Sequence, residues 1–226
     1  MRLDKFLADM QVGTRSEVKK LIRQKAVTVD GTVAKDPGMN VSENSNITVN
    51  GEEVSYVRYE YFLLNKPQGY VCTRDYSPNV LQLIASRNKN LTPAGRLDKD
   101  TEGAILITND GQLVHRLISP RGHVDKTYYV ETDRNIPANA REIFSKPMHF
   151  VDFTSEPADY QPLDDRSGYL TVHEGKYHQV KRMFQQLGCE VTFLKRTVFA
   201  SLTLEGLETG EYRPLSEDEI NYLKSL

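Results

Sequence analysis

The sequence has 226 residues, of which 38% are apolar and 27% are charged, and its formal net charge is −2. This length suffices for one large domain with a sizeable core and a second, small domain, and the composition is typical of soluble globular proteins. The near balance of charges excludes a basic field over the whole surface, so any nucleic-acid site has to be a local patch. The net charge alone is also compatible with a protein that binds small molecules.

Cysteine usage and the N-terminal residues favour a soluble cytoplasmic protein. Cys72 and Cys189 are far apart, and neither belongs to a Cys-X-X-Cys motif or a Cys/His cluster. Reduced thiols are therefore expected, rather than a disulfide framework or a zinc site. The first ten residues carry charges within their apolar pattern, unlike a signal peptide, and no segment approaches the roughly 18 apolar residues of a membrane span.

The chain begins with two predicted amphipathic helices. Apolar residues at i, i+3, i+4 and i+7 from Leu3 predict the first helix. Thr14 and Glu17 form the pattern of a capping box, which predicts the start of the second helix. The apolar side of this second helix holds Val18, Leu21 and Ile22, and its opposite, basic side holds Arg15, Lys19, Lys20 and Arg23.

Short strands complete a small N-terminal domain, predicted at residues 1–55. The segments VTVDG and ITVNG alternate in polarity and end in Asp-Gly and Asn-Gly, which are signals of hairpin turns. The basic side of the second helix is either a solvated surface or a phosphate-contacting face, and the stripe alone favours neither. Its place in a self-contained small domain favours phosphate contact.

A larger α+β domain is predicted at residues 61–226, after a linker at residues 56–60. YFLLNKPQGYVCT indicates a strand, a turn and a second strand, and AILIT, KTYYVET and YLTVHEG indicate further strands. Helices are predicted after the turn at 109–111, from Pro137 onward, and after the capping-box pair Ser216 and Glu219. Strands interspersed with helices indicate a mixed or antiparallel sheet.

The segment GRLDKDTEG, residues 95–103, places two aspartates between glycines that permit tight or left-handed backbone geometry. Asp98 and Asp100 are two residues apart, so in an extended segment their side chains lean to the same side. Glycosidases hold two carboxylates roughly 5 to 9.5 Å apart, which this spacing could mimic. An Asx turn is the structural alternative, and the loop by itself favours the turn.

The segment HEGKYHQVKRMFQQLG, residues 173–188, predicts a helix with an apolar stripe of Val180, Met183, Phe184 and Leu187. His178 and Lys181 share one flank of this helix, and Arg182 lies on the other. Cations early in a helix oppose its dipole, which argues weakly against a purely structural role. A solvated basic flank is the plain alternative. Since His178 has no metal-ligand partner at i+4, no metal site is expected.

The strand KTYYV, residues 126–130, contains two adjacent tyrosines. Successive side chains of a strand face opposite sides, so one of Tyr128 and Tyr129 is expected in the core and the other in a cleft. An aromatic ring in a cleft suits stacking on an unstacked base.

The order of these motifs resembles a known family. RLDKFLADMQVGTRSEVKKLIRQKAVTVDG resembles the S4 RNA-binding module across the whole small domain. LLNKPQGYVCT, AGRLDKDTEGAILITNDG, KTYYV and EGKYHQVKRMF then follow in sequence before GEYRPL, and together they closely resemble the RsuA-like rRNA pseudouridine synthases. Within that family the pattern is most similar to the enzymes of small-subunit (16S) rRNA. The resemblance implies an isomerase that turns a uridine of rRNA into pseudouridine.

The resemblance also implies roles for individual residues. The catalytic aspartate of GRLD is Asp98 in this sequence, and a basic residue paired with it stands at Lys181. Tyr128 is implied to pack on the target base and to assist removal of the C5 proton. Arg96 is implied to contact phosphate or to hold the target nucleotide flipped out, and Asp100 to shape the loop. No metal and no organic cofactor are implied.

Further RNA contacts are implied outside the reacting residues. They are expected from Arg15, Lys19, Lys20 and Arg23 of the basic helix and from Lys126, His178, Gln179 and Arg182 of the larger domain. Because the protein is near neutral overall, its cations are expected to line one face as a track for a polyanion. The larger domain would contribute His115, Arg116, Arg121, His123, Lys126, Lys181, Arg182, Lys195 and Arg196 to this track.

Two alternatives stay open beside a small-subunit rRNA enzyme. One is a non-catalytic RNA-binding or ribosome-assembly factor with the same fold, although a pure binder has no need of Asp98, Tyr128 and Lys181 together. The other is the same chemistry on large-subunit (23S) rRNA. The expected partner is rRNA or a pre-ribosomal particle, without a membrane, and the expected form is a cytoplasmic monomer.

Overall fold

The computed structural model describes residues 1–56, 58–86, 88–119, 122 and 124–226. The chain divides into two compact units, one of Met1–Tyr59 with Ser86–Lys89 and the other of Glu60–Ala85 with Asn90–Leu226. Within the described ranges, no helix has the length and apolar character that a membrane span requires.

The first unit packs two helices on a small antiparallel sheet. Its elements are α1 (Leu3–Asp9), α2 (Arg15–Arg23), β1 (Val27–Val29), β2 (Thr32–Val33), β3 (Ile47–Val49) and β4 (Glu52–Glu53), with strand order β2-β1-β3-β4. The predicted capping box is confirmed, since the Glu17 amide donates to Thr14 Oγ1 (3.3 Å) and the Thr14 amide donates to Glu17 Oε2 (2.7 Å). The core of the unit includes Leu3, Phe6, Leu7, Val18, Ile22, Val27 and Ile47.

The hairpin turns of this unit follow from their dipeptides. Asp30 and Gly31 have φ angles of 49° and 79°, and Asn50 and Gly51 have φ angles of 54° and 85°. A type I′ turn requires positive φ at both central positions, which Asp-Gly and Asn-Gly adopt readily. The predicted hairpin turns at VTVDG and ITVNG are therefore confirmed.

The second unit is built on a mixed sheet, as predicted. Its strands are β5 (Tyr61–Lys66), β6 (Thr92–Pro93), β7 (Glu102–Thr108), β8 (Lys126–Thr132), β9 (Asp159–Pro162), β10 (Ser167–Val172), β11 (Val191–Phe199), β12 (Leu202–Thr203) and β13 (Tyr212–Pro214). The order is β13-β5-β7-β11-β8-β10-β9, with β6 beside β7 and β12 beside β11. The pair β7–β11 is parallel, whereas the other strand pairs of this sheet among the described residues are antiparallel.

Helices accompany this sheet. They are α3 (Gly111–Ile118), α4 (Ala140–Phe144), α5 (Gln179–Gln186) and α6 (Glu217–Ser225), with a 3-10 turn at Val80–Leu83. The capping box of α6 is confirmed by the Glu219 amide, which donates to Ser216 Oγ at 3.2 Å. By contrast, α4 starts later than predicted, because the Ala140 amide donates to the Pro137 carbonyl and closes a turn before the helix.

The register of the sheet brings four residues that are distant in sequence into one row. Lys66 pairs with Gly103, Gly103 with Arg196, and Arg196 with Tyr128. Gly103 has a φ of +110°, and a Cβ atom on it would lie 2.1 Å from the Arg196 carbonyl oxygen. Only glycine permits this approach of the two strands. The row thereby aligns the middle of LLNKPQG and the end of GRLDKDTEG with the middle of KTYYV.

Candidate active site

Asp98 lies on the loop between β6 and β7, and its neighbour Leu97 anchors that loop. The Leu97 side chain is buried, its amide donates to Cys72 Sγ (3.4 Å), and its carbonyl accepts from the same sulfur (3.5 Å). The Thr101 amide donates to the Asp98 carbonyl at 3.1 Å. Among the described residues, no backbone amide donates to the Asp98 carboxylate, so the Asx turn that the loop alone favoured is not formed there.

Lys66 holds the same loop from inside the protein. Its side chain is fully buried at the end of β5, and Nζ donates to the backbone carbonyls of Pro67 (3.1 Å), Asp98 (3.0 Å), Lys99 (3.4 Å) and Thr101 (2.7 Å). Burial lowers the pKa of the Lys66 ammonium. Lys66 was not among the site residues predicted from the sequence. The signal was a lysine that follows the apolar strand YFLL after a single asparagine and directly precedes a proline.

Lys181, on α5, reaches both aspartates of the loop. Its Nζ lies 3.1 Å from Asp98 Oδ2 and 2.6 Å from Asp100 Oδ1. The Asp98 side chain is 29% exposed, whereas that of Asp100 is 70% exposed. Lys181 therefore bridges a half-buried carboxylate and a solvent-facing one. Asp100, which was expected to shape the loop, also forms an ion pair with Lys181.

The charges of this cluster support one another. Burial, the largest single influence, favours the neutral amine of Lys181, but hydrogen bonds to Asp100 and Asp98 outweigh it and raise the pKa of Lys181. Burial also acts against the charged form of Asp100, yet the hydrogen bond and charge of Lys181 lower the pKa of that carboxyl. The site therefore holds an ammonium between carboxylates.

His178 joins the cluster from the residue that precedes α5. Its Nε2 lies 3.4 Å from Asp98 Oδ1, and its backbone has a left-handed φ of 51°. The next residue, Gln179, is buried: its Nε2 donates to Glu174 Oε1 (2.7 Å), and its Oε1 accepts from the Lys176 amide (3.0 Å). Both ends of the Gln179 amide are thus engaged within the protein, which corrects its expected contact with RNA.

Tyr128 lies on the buried face of β8. It belongs to the hydrophobic cluster that includes Leu97 and, from α5, Val180 and Met183. Two strand spacings, about 10 Å, separate its backbone from Gly103 at the end of the loop. Its neighbour Tyr129 faces the other side and donates to Glu131 Oε1 at 2.8 Å. Tyr128 is therefore the core-facing tyrosine, and it lies in the same hydrophobic cluster as Leu97, the residue before Asp98.

Several cations expected to form the polyanion track are engaged or buried. Arg182 pairs with both oxygens of Asp152 (3.1 and 2.5 Å) and lies over the rings of Phe150 and Phe153. Arg196 is buried and donates to the Ala104 carbonyl at 2.7 Å. The prediction of a continuous track of surface cations in this unit is therefore wrong. Lys195 lies 3.7 Å from Glu102 Oε2, Arg116 donates to the Lys224 carbonyl, and Arg121 and His123 lie outside the described residues.

The cations that remain available lie elsewhere. Arg15, Lys20 and Arg23 of α2 are exposed and Lys19 is half-buried, and none of them forms an ion pair with another residue that the structure describes. Arg96, beside Leu97 on the loop between β6 and β7, is likewise exposed and makes no hydrogen bond within the described ranges. The charges of these side chains are therefore not paired with a carboxylate of the described residues.

Lys126 was also expected to contact RNA from the surface, but its side chain is buried. Its Nζ donates to the carbonyls of Val124 (2.6 Å) and His173 (3.5 Å). Burial, and next the charge of Arg196, lower the pKa of Lys126 to about 8. Lys126 therefore belongs to the interior of the fold, where a phosphate does not reach it.

This lowered pKa predicts a pH-dependent stability. Between pH 8 and the usual lysine value near 10.4, the unfolded chain binds a proton that the folded chain has released, so stability rises with pH. We expect the free energy of unfolding of the wild type, relative to Lys126→Met, to rise by about 3 kcal/mol across this window. Urea denaturation of both proteins at several pH values measures the difference. Parallel pH profiles of the two proteins would contradict it.

Comparison with known proteins identifies relatives along the whole chain. The family model described as RNA pseudouridylate synthase matches residues 60–186, and that of the S4 domain matches residues 1–47. An uncharacterized RNA pseudouridine synthase of Bacillus subtilis is 42% identical, covering 99% of this chain and 98% of the relative. The ribosomal small subunit pseudouridine synthase A of Haemophilus influenzae is 40% identical, covering 99% of each chain. A crystal structure of a pseudouridylate synthase matches 99% of each chain with a TM-score of 0.71 and 40% identity.

Proposed function

Because the chain belongs to the RNA pseudouridylate synthase family, we propose that it converts a uridine of small-subunit ribosomal RNA into pseudouridine. The observation that carries the proposal is the Asp98 carboxylate, held 3.1 Å from Lys181 on a loop that Lys66 ties to the sheet. The small-subunit target is supported by the name of the Haemophilus relative, which is similar from end to end.

The reaction exchanges one bond to the ribose for another. The N1–C1′ glycosidic bond breaks, the uracil turns, and C5 bonds to C1′; the proton on C5 is released and N1 gains one. Asp98 is the group that initiates this exchange, through attack on C1′ or C6 or by forming a glycal. Each of these routes uses an ionised carboxylate, and the Lys181 ammonium is its ion-pair partner.

Tyr128 and Arg96 act on the flipped-out uridine in this proposal. A stacked base is out of reach of Asp98, so the target nucleotide has to leave its helix. The buried Tyr128 packs on the uracil and assists the removal of the C5 proton. Arg96, exposed beside the reacting loop, contacts the phosphate that precedes or follows the target.

The first unit supplies affinity rather than chemistry. The cations of α2, Arg15, Lys19, Lys20 and Arg23, are proposed to contact phosphates of structured RNA. We take residues 1–55 as this RNA-binding domain, residues 56–60 as a linker and residues 61–226 as the catalytic domain. The protein is proposed to act in the cytoplasm as a monomer, on rRNA or on a pre-ribosomal particle.

Tritium release tests the reaction, and mapping of pseudouridine tests the target. The wild-type protein is expected to release tritium from rRNA labelled at uracil C5, and cells that lack it are expected to lose one pseudouridine from 16S rRNA. A lost site in 23S rRNA would move the activity to the large subunit. Absence of release from either rRNA and from pre-ribosomal particles would leave a binding protein without this chemistry.

Asp100 tests whether one carboxylate or two take part in the reaction. Asp100→Asn removes the solvent-facing partner of Lys181 and leaves the contact with Asp98. Because exposed ion pairs contribute about 0–1 kcal/mol, we expect kcat/KM for tritium release to fall by less than about fivefold. A loss as complete as that of an Asp98 variant would instead make the two aspartates a catalytic pair.

A further inference from the structure

We propose that Tyr177 and His178 form a stacking site for the nucleobase next to the target uridine. The proposal rests on the proposed function and adds a second base-binding position outside the site of reaction. The ligand is an unstacked nucleobase of the substrate RNA, with no requirement for its identity.

The two rings form a preformed aromatic stack. The ring centroids of Tyr177 and His178 are 3.9 Å apart, and the ring planes differ by 17°. Tyr177 is nevertheless 72% exposed, so His178 covers one face of the tyrosine ring while the rest is open to solvent. An aromatic ring fixed in this way presents a flat apolar surface on which a base can stack.

The segment that carries the stack is held on both sides. Before it, the buried Glu174 accepts from the Glu156 amide (2.9 Å) and from Gln179 Nε2 (2.7 Å). After it, α5 is anchored in the core through Val180 and Met183. His178 itself adopts a left-handed backbone, a conformation in which histidine, like asparagine and aspartate, is enriched among residues other than glycine. Because the rings are already ordered, a base binds there at little entropic cost.

The stack begins at the reacting carboxylate and ends in solvent. His178 Nε2 lies 3.4 Å from Asp98 Oδ1, and the Tyr177 ring stacks on a face of the same imidazole. When the target uridine leaves its helix, its neighbour loses a stacking partner. Tyr177 offers that neighbour a replacement surface close to the reaction. The target uracil itself belongs with the buried Tyr128, since the exposed Tyr177 gives no protection from water.

The test compares Tyr177→Ala with Tyr177→Phe, which keeps the ring. The probe is a fragment of small-subunit rRNA that the wild-type protein modifies, labelled with tritium at C5 of the target and with 2-aminopurine at a flanking position. Stacking of a base on an aromatic side chain contributes about 1–3 kcal/mol, equivalent to about 5- to 150-fold in affinity. We expect Tyr177→Ala to raise Kd by such a factor, to alter the bound 2-aminopurine fluorescence, and to leave kcat at saturating RNA within about twofold.

Two variants serve as controls in this experiment. Tyr177→Phe is expected to match the wild type in Kd, kcat and fluorescence. Tyr222→Ala removes another exposed tyrosine, 47% exposed on α6 of the same unit, and is also expected to match it. Thermal unfolding of all the variants checks that each is folded.

The outcomes separate this proposal from the proposed function. An unchanged Kd and unchanged fluorescence in Tyr177→Ala would overturn the stacking site while tritium release by the wild type still stood. A fall in kcat without a change in Kd would overturn it too, because Tyr177 would then act through His178 on Asp98. Absence of tritium release by the wild type would count against the proposed function, whatever Tyr177→Ala does to RNA affinity.

Discussion

Replacing Asp98 by asparagine is expected to abolish tritium release from uracil-labelled rRNA. The variant keeps the size of the side chain and a carbonyl oxygen toward Lys181, but it loses the anion that every route to the C5-linked product uses. Removal of a nucleophile or base that acts as part of a unit costs many orders of magnitude, so we expect a decrease of at least about 10⁴-fold in kcat. Single-turnover release with excess enzyme is the measurement.

The structure supplies a reason to expect that Asp98→Asn stays folded. Lys181 keeps Asp100, whose oxygen is the nearer of the two at 2.6 Å, so the ammonium is not left without a carboxylate. We therefore expect RNA affinity within a few-fold of the wild type and a thermal midpoint within about 4 °C, as for a change below 1 kcal/mol. Asp100→Asn is the matched control, with the same chemical change on the same loop. Release by Asp98→Asn at the wild-type rate would exclude Asp98 from the chemistry.

Replacing Lys66 by methionine is expected to cause a larger loss of stability than the substitutions of Asp98, Asp100 and Tyr177. Methionine fills a similar volume but leaves the carbonyls of Pro67, Asp98, Lys99 and Thr101 without the donor that Nζ provides. Hydrogen bonds to a charged group contribute about 1.5–3 kcal/mol, although the carbonyls of Asp98 and Lys99 still accept from the amides of Thr101 and Gly69. The variant no longer has to bury an ammonium, and this gain offsets part of the loss. We therefore expect a decrease of about 3 kcal/mol in the free energy of unfolding, measured by urea denaturation.

The same change should disturb the site, since Lys66 bonds the carbonyl of Asp98 itself (3.0 Å). A misplacement of about 1 Å near the chemistry costs about 10²-fold, and we expect at least this loss of tritium release under conditions where the variant is folded. Lys99→Met is the control, because it makes the same substitution at an exposed side chain of the same loop. Its stability should change by no more than about 0.5 kcal/mol. Equal stability of Lys66→Met and the wild type would show that other contacts hold the loop.

Local structure was predictable where neighbouring residues determine it. The capping boxes at Thr14 and Ser216 and the turns at Asp30-Gly31 and Asn50-Gly51 have the predicted geometry. The partners in these motifs lie within three residues, so their sequence pattern already contains the interaction. The order of the separated motifs, and with it the family and the mixed sheet, was equally readable.

Burial of charged residues was not predictable in the same way. Lysine and arginine are rarely buried, so Lys66, Lys126 and Arg196 were missed or expected at the surface, whereas all of them lie inside. Each donates to at least one backbone carbonyl from a distant part of the chain, namely those of Thr101, His173 and Ala104. A prediction that places every lysine and arginine at the surface therefore counts buried residues as part of a basic surface.

The sequence by itself determined most of the elements, the family and the candidate reacting residue Asp98, because these depend on short-range pattern and on motif order, although within the described residues no strand forms at the predicted YVCT and α4 begins later than predicted. Only the tertiary structure decided what surrounds that residue. The contact between Lys181 and Asp100 joins residues 81 positions apart, and that between Lys66 and the Asp98 carbonyl joins residues 32 positions apart. Such contacts depend on strand register and on the packing of α5, which bring distant segments together through the burial of a shared core. The same packing turned Gln179 inward, left Tyr177 exposed on His178, and gave Lys181 two carboxylates.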